Sequence, residues 1–146
     1  MKRALSTLTA ICALAAPASA FVVDECGPEF TPMTITEPWE ESSQAFANGA
    51  IRIFEVFIDP NVASGAALGV LHPVPSDAGG PFRRCTAIYA SGVTRFFGQA
   101  FINQATAVYD ASAGLIITVP IAFADGSGTR PVTFAVNQAT GTVTLR

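Results

Sequence analysis

This chain predicts a mainly β fold: one antiparallel domain of roughly six to eight short strands, closed as a sandwich, a small barrel or a bent sheet, with one short helix near residues 37–48. Three observations lead there. Past Gly49 the sequence is a succession of short runs rich in valine, isoleucine, threonine and phenylalanine, side chains that fit a pleated surface. Glycine, proline, asparagine and aspartate separate those runs at short intervals, which suits tight connections between antiparallel neighbours. Only about a dozen residues before Gly49 carry helix start and stop signals.

The chain opens with an address. Lys2 and Arg3 precede a mostly apolar stretch from Ala4 to Pro17, and Ala18-Ser19-Ala20 supplies small side chains for a peptidase. That is the pattern of a bacterial-type secretory signal peptide over residues 1–20. The apolar stretch falls short of the ~20 residues a permanent membrane anchor needs. The expected mature domain is 21–146, placed in the periplasm or outside the cell and without a transmembrane segment.

Residues 21–35 contain Pro28 and Pro32 with little periodicity and read as an extended arm, with Met33 and Ile35 able to reach the core. From Thr36 the helix begins: Thr36 can cap it, Pro38 suits its first turn, and Glu37, Glu40 and Glu41 favour its positive end. Trp39 and Phe46 share a helical face, and Gly49 is a natural stop. Ala50 to Ile58 is the first strong strand. Ile51, Ile53, Glu55 and Phe57 lie on one face and Arg52, Phe54, Val56 and Ile58 on the other; two apolar faces imply cover on both sides.

Leu68 to Val74 reads as an edge strand because Pro73 cannot donate to a ladder, and Ser76 to Pro81 as a loop. Strands are further expected over 84–90, 93–102, 105–109, 115–124, 131–136 and 142–145. Neighbours on a strand face opposite ways, so one of Phe96 and Phe97 belongs in the core. Asp110-Ala-Ser-Ala-Gly114 and Asn137-Gln-Ala-Thr-Gly141 look alike: an Asx side chain folds the turn, and glycine four positions on accepts a left-handed conformation. Asp125-Gly-Ser-Gly128 is a third turn. The pentapeptides at 102–106 and 136–140 nearly repeat, which in a chain rich in alanine and threonine reads as coincidence.

Two cysteines remain after residue 20, Cys26 and Cys85. An even pair in an exported chain reads as a disulfide, closing a long loop and stabilising by ~4 kcal/mol on a chain-entropy argument. The alternative is a reactive thiol at Cys85, where Arg83 and Arg84 favour thiolate.

Charge narrows the function. The mature segment has six arginines, no lysine and eleven carboxylates, a net charge of −5. That balance argues against nucleic acid as a partner. Residues 21–59 carry −7 and the remainder +2, so the acidic half is expected to neutralise Arg83, Arg84, Arg95 and Arg130 within the domain. No cluster with metal-ligand spacing, phosphate loop or nucleophile motif occurs, and no cofactor or metal is expected. Two side chains have catalytic chemistry to offer. Glu55, mid-strand on an apolar face, would have its pKa raised by desolvation. His72, the single histidine, lies between Leu71 and Pro73 and reads as structural.

The residues carry no family signature. The expectation is an exported non-enzymatic domain that binds, supports or inhibits an envelope protein or a small ligand. One alternative is a carboxylate-using enzyme with Glu55 in a sheet-lined pocket. Another is a carrier or chaperone for apolar ligands, which requires an open apolar groove.

Overall fold

The structure, a computed structural model, describes residues 20–59, 61–76, 82–92 and 95–146. The expected signal peptide, apart from Ala20, lies outside them, as does most of the loop at 76–81.

Ten strands form two antiparallel sheets among the described residues. The first contains β1 (Phe21–Glu25), β2 (Ser43–Phe46), β3 (Ile51–Phe57), β4 (Ala66–Pro73) and β5 (Arg83–Ala90), in the order β1-β5-β4-β3-β2. The second contains β6 (Gln99–Ala100), β7 (Thr106–Asp110), β8 (Gly114–Phe123), β9 (Gly128–Asn137) and β10 (Thr142–Leu145). Its order is β10-β9-β8, with β6 and β7 both paired to β8. One cluster of buried side chains draws on both sheets: Ile51, Ile53, Leu68, Val70 and Ile88 from the first, Ile117, Val119, Ile121, Val132 and Phe134 from the second. Period-two alternation puts each set on one face. The sheets therefore pack as a sandwich, without barrel closure.

The first sheet is covered on its outer face as well. Val56, Ala67, Ala87 and Tyr89 form a second cluster there, over which Cys26, Phe30 and Ile35 pack. Phe30 meets Phe54 and Tyr89 edge-on, at 6.2 and 6.0 Å between ring centroids, a favoured aromatic geometry. The expected two-sided burial of β3 thus has a source: residues 26–35 cross the sheet from the β1 side to β3, where Ile35 bridges Val56. The Cys26–Cys85 disulfide fastens the start of that crossing, with Cα atoms 5.4 Å apart.

Several expectations are corrected. The segment 21–35 is not an arm throughout, since Phe21–Glu25 pairs along β5 from Phe21↔Ala90 to Glu25↔Thr86. Met33 does not reach the core and is 92% exposed. The helix expected over 37–48 is one turn, Trp39–Ser42, with Pro38 rather than Thr36 at its N-cap position. So short a helix holds little stability of its own. Ser43–Phe46 instead takes up backbone bonding against Phe54–Ile51, and Ala47 and Asn48, both at positive φ, turn the chain into β3.

β4 is the middle strand, not an edge. Pro73 is its last residue, where a missing N–H costs little. The strand expected over 93–102 shrinks to Gln99–Ala100 within its described residues, because the chain changes sheets there. Phe97 pairs with Ala66 of the first sheet, and Gly98 donates to Ala122 of the second. Phe97 is fully buried, and Phe96 packs against the Tyr89 ring.

The turn chemistry is as read. Asp110 Oδ1 accepts from the Ser112 and Ala113 amides, both at 2.8 Å. Asn137 Oδ1 accepts from Ala139 and Thr140 at 3.0 and 3.2 Å. Gly114 and Gly141 follow at φ 92° and 66°. The two near-repeated pentapeptides adopt different structures: Ile102–Gln104 is a 3-10 turn, whereas Val136 and Asn137 end β9.

Candidate functional site

Glu55 sits on the inner face of β3 and is 4% exposed. Its Oε1 accepts a 2.8 Å hydrogen bond from the Ala100 backbone N–H, so a side chain of the first sheet is tied to β6 of the second. On the same residue the backbone carbonyl accepts from the Thr36 amide at 3.1 Å. These bonds gather three parts of the chain that are far apart in sequence: the end of the crossing segment, β3, and the run from Gln99 to Gln104.

Between them lies a cleft of about 130 Å³, lined by Glu55, Thr36, Glu37, Glu41, Asn103 and Gln104 among others. Glu55 is the buried member, while Glu37 and Glu41 are exposed. Burial raises the Glu55 pKa above its ordinary 4.5, against the opposing pull of the Ala100 amide and the Thr36 side chain. The buried Thr36 hydroxyl makes no ordinary hydrogen bond, although it lies near enough to favour the carboxylate. Among the described residues the one hydrogen bond of ordinary geometry to the Glu55 carboxyl group is that from the Ala100 N–H to Oε1, and the Thr36 hydroxyl is close enough to interact with the group as well. Gln44, on β2, has a buried side-chain oxygen that is without a partner.

His72 does not join this cleft. It shares the inner face, but Leu68 is the residue opposite Glu55, and His72 lies four residues farther along β4, about 13 Å at strand spacing. Its imidazole is fully buried, with Nε2 2.9 Å from the Thr86 hydroxyl and Nδ1 3.2 Å from the Pro73 carbonyl oxygen. Burial lowers its pKa, assisted by the charge of Arg84, while the Pro73 carbonyl works in the other direction. A buried, doubly bonded ring is a poor proton shuttle. Cys85, the other reactive candidate, is consumed by the disulfide.

The charge asymmetry resolves only in part. One ion pair joins the two halves among the described residues, Asp24 with Arg95 at 2.8 Å on the surface, a geometry of small energetic value. The Arg95 guanidinium also lies 4.3 Å from the Tyr89 ring centre, and the Tyr89 hydroxyl donates to Glu29 at 2.7 Å. Arg130 lies over Phe123, and Arg83 donates to the Gly49 carbonyl. Among the described residues Glu37, Glu40 and Glu41 make no ion pair, and Glu37 and Glu41 line the Glu55 cleft.

No three His, Cys, Asp or Glu side chains group closely enough to hold a metal among the described residues, and no described helix is long and apolar enough to cross a membrane. An open depression of about 710 Å³ beside Ile58, Val62, Ala63 and Phe96 is a surface concavity, not an enclosed chamber.

The sequence singled out Glu55 but not its partners. Nothing local to Ala100 announces a role and Thr36 reads locally as a helix cap, because both reach Glu55 through long-range pairing. No protein-family model, curated protein or solved structure matches this chain.

Proposed function

We propose that this protein is an exported, non-enzymatic binding domain whose cleft over Glu55 receives a cationic group, such as an arginine or lysine side chain, of an envelope partner. The observation that carries the reading is the Glu55 carboxyl group, buried in the cleft lining with one oxygen held by the Ala100 amide and with no ion pair among the described residues. A buried carboxylate is stabilised by a cation that replaces its lost hydration. Thr36 also lines the cleft, and its hydroxyl makes no hydrogen bond of ordinary geometry, so it is placed to adjust to an incoming N–H donor. Glu37 and Glu41 add attraction at the rim. At about 130 Å³, the cleft fits a side-chain tip better than a sizeable substrate, since small-molecule sites usually span ~300–1,000 Å³.

Catalysis needs a second group aligned with the first; His72 is held elsewhere, and Glu37 and Glu41, the other carboxylates lining the cleft, are exposed rather than buried beside Glu55. Export is supported by the leader-like start of the sequence and by the Cys26–Cys85 bridge, which persists in oxidising compartments.

The experiment is a titration with ethylguanidinium, followed by backbone amide resonances. Saturable shifts at Ala100 and neighbouring amides, abolished in Glu55→Gln, support the reading. Shifts that are absent, or unchanged in the variant, contradict it.

A further inference from the structure

Among the described residues the strand β7 (Thr106–Asp110) has a neighbour on one side only: it pairs with β8 and packs appreciably on no other element. Thr106, Ala107, Val108 and Tyr109 are all exposed, Val108 and Tyr109 by 63% and 73%. An edge strand presents unpaired N–H and C=O groups, which proteins usually blunt with lysine, proline, a bulge or a covering segment. β7 contains neither lysine nor proline. The other edges are better protected, with β1 and β10 against each other across the sandwich and β2 against the 3-10 turn Ile102–Gln104.

We propose that β7 pairs antiparallel with β7 of a second copy of this chain, about a two-fold axis through Val108. The side chains of β7 are complementary to themselves in that register. Val108 meets Val108, the large Tyr109 meets the small Ala107, and Thr106 meets Asp110. Among the described residues the Thr106 hydroxyl has no hydrogen-bond partner, and Asp110 uses only Oδ1 for its own turn, leaving Oδ2 free. Each hydroxyl therefore faces a free carboxylate oxygen across the axis, and no like charges are opposed. The two-fold operation keeps the sheet faces aligned, so two second sheets join into one continuous sheet. An interface made by five-residue strands is small, so the dimer forms in a concentration-dependent way.

Sedimentation of the purified protein from about 10 μM to about 1 mM tests this, a range that covers weak association. The mass should rise from one chain toward two. Val108→Lys places two ammonium groups face to face on the axis and should hold the mass at one chain, with an unchanged circular dichroism spectrum. Ala107→Lys, which fills the space opposite Tyr109, should do the same. A single chain at every concentration, assemblies larger than two, or a dimer indifferent to both variants would overturn the proposal.

Discussion

Glu55 on one sheet and Ala100 on the other are joined by a 2.8 Å hydrogen bond, from a backbone amide to a buried carboxyl group. Glu55→Ala leaves the Ala100 N–H without its acceptor and should destabilise the fold by about 1–3 kcal/mol, the cost of an orphaned buried donor. Glu55→Gln retains an acceptor and should cost less. Urea denaturation of both variants at one pH checks the order; equal losses would show that the bond to Ala100 contributes little.

The same carboxyl group gives stability a pH dependence. Its folded-state pKa is raised above 4.5 by burial. The folded form thus binds the proton more tightly, and the stabilisation is complete below 4.5 and lost as pH rises through the folded value. Glu55→Gln should flatten that part of the stability profile. A profile identical to that of the parent would count against the burial of the charge.

His72 works in the opposite sense. Burial depresses its folded-state pKa below 6.5, so its contribution is present above 6.5 and is lost as pH falls through the folded value. Imidazole resonances of the native protein should titrate with a midpoint below 6.5. A midpoint at or above it would mean that the ring is hydrated.

Reduction of the disulfide, or Cys26→Ser combined with Cys85→Ser, should cost roughly 2–5 kcal/mol. Amides of residues 26–35 should gain exchange first, because the bridge anchors their crossing of the first sheet. Uniform loss of protection over both sheets would instead assign the bridge to global stability alone.

The turn glycines should differ in their tolerance of alanine. Gly114 is at φ 92°, and a Cβ there would collide with the Val136 carbonyl oxygen. Gly126, at φ 78°, has open space around its Cβ position. Thermal unfolding should show Gly126→Ala losing about 1 kcal/mol, from backbone strain alone, and Gly114→Ala losing more. The reverse order would contradict the turn geometry.

The later half of the sandwich was legible because its signals are local. Thr142–Leu145 falls where its β-branched pattern puts it, and Asp110 and Asn137 fold their turns with their own side chains. Residues 21–49 misled because their structure is set from outside. Phe21 and Val23 gain a strand partner only when β5 is present, and Ser43–Phe46 abandons a helix for the open side of β3. Pro73 pointed to an edge because sequence does not distinguish a proline within a strand from one at its end. At the candidate site the buried carboxylate followed from the alternation of β3. The cleft above it depends on a chain crossing near Phe97 that no local pattern encodes.

The buried carboxyl group of Glu55 is the centre of the functional reading, and the most direct measurement is the titration of its side-chain carboxyl carbon by nuclear magnetic resonance, with and without ethylguanidinium. A midpoint above 4.5 in the free protein, displaced downward as the cation is added and pairs with the carboxylate, is the expected result. A midpoint at or below 4.5, or one that the cation leaves unmoved, would contradict a cation-binding cleft.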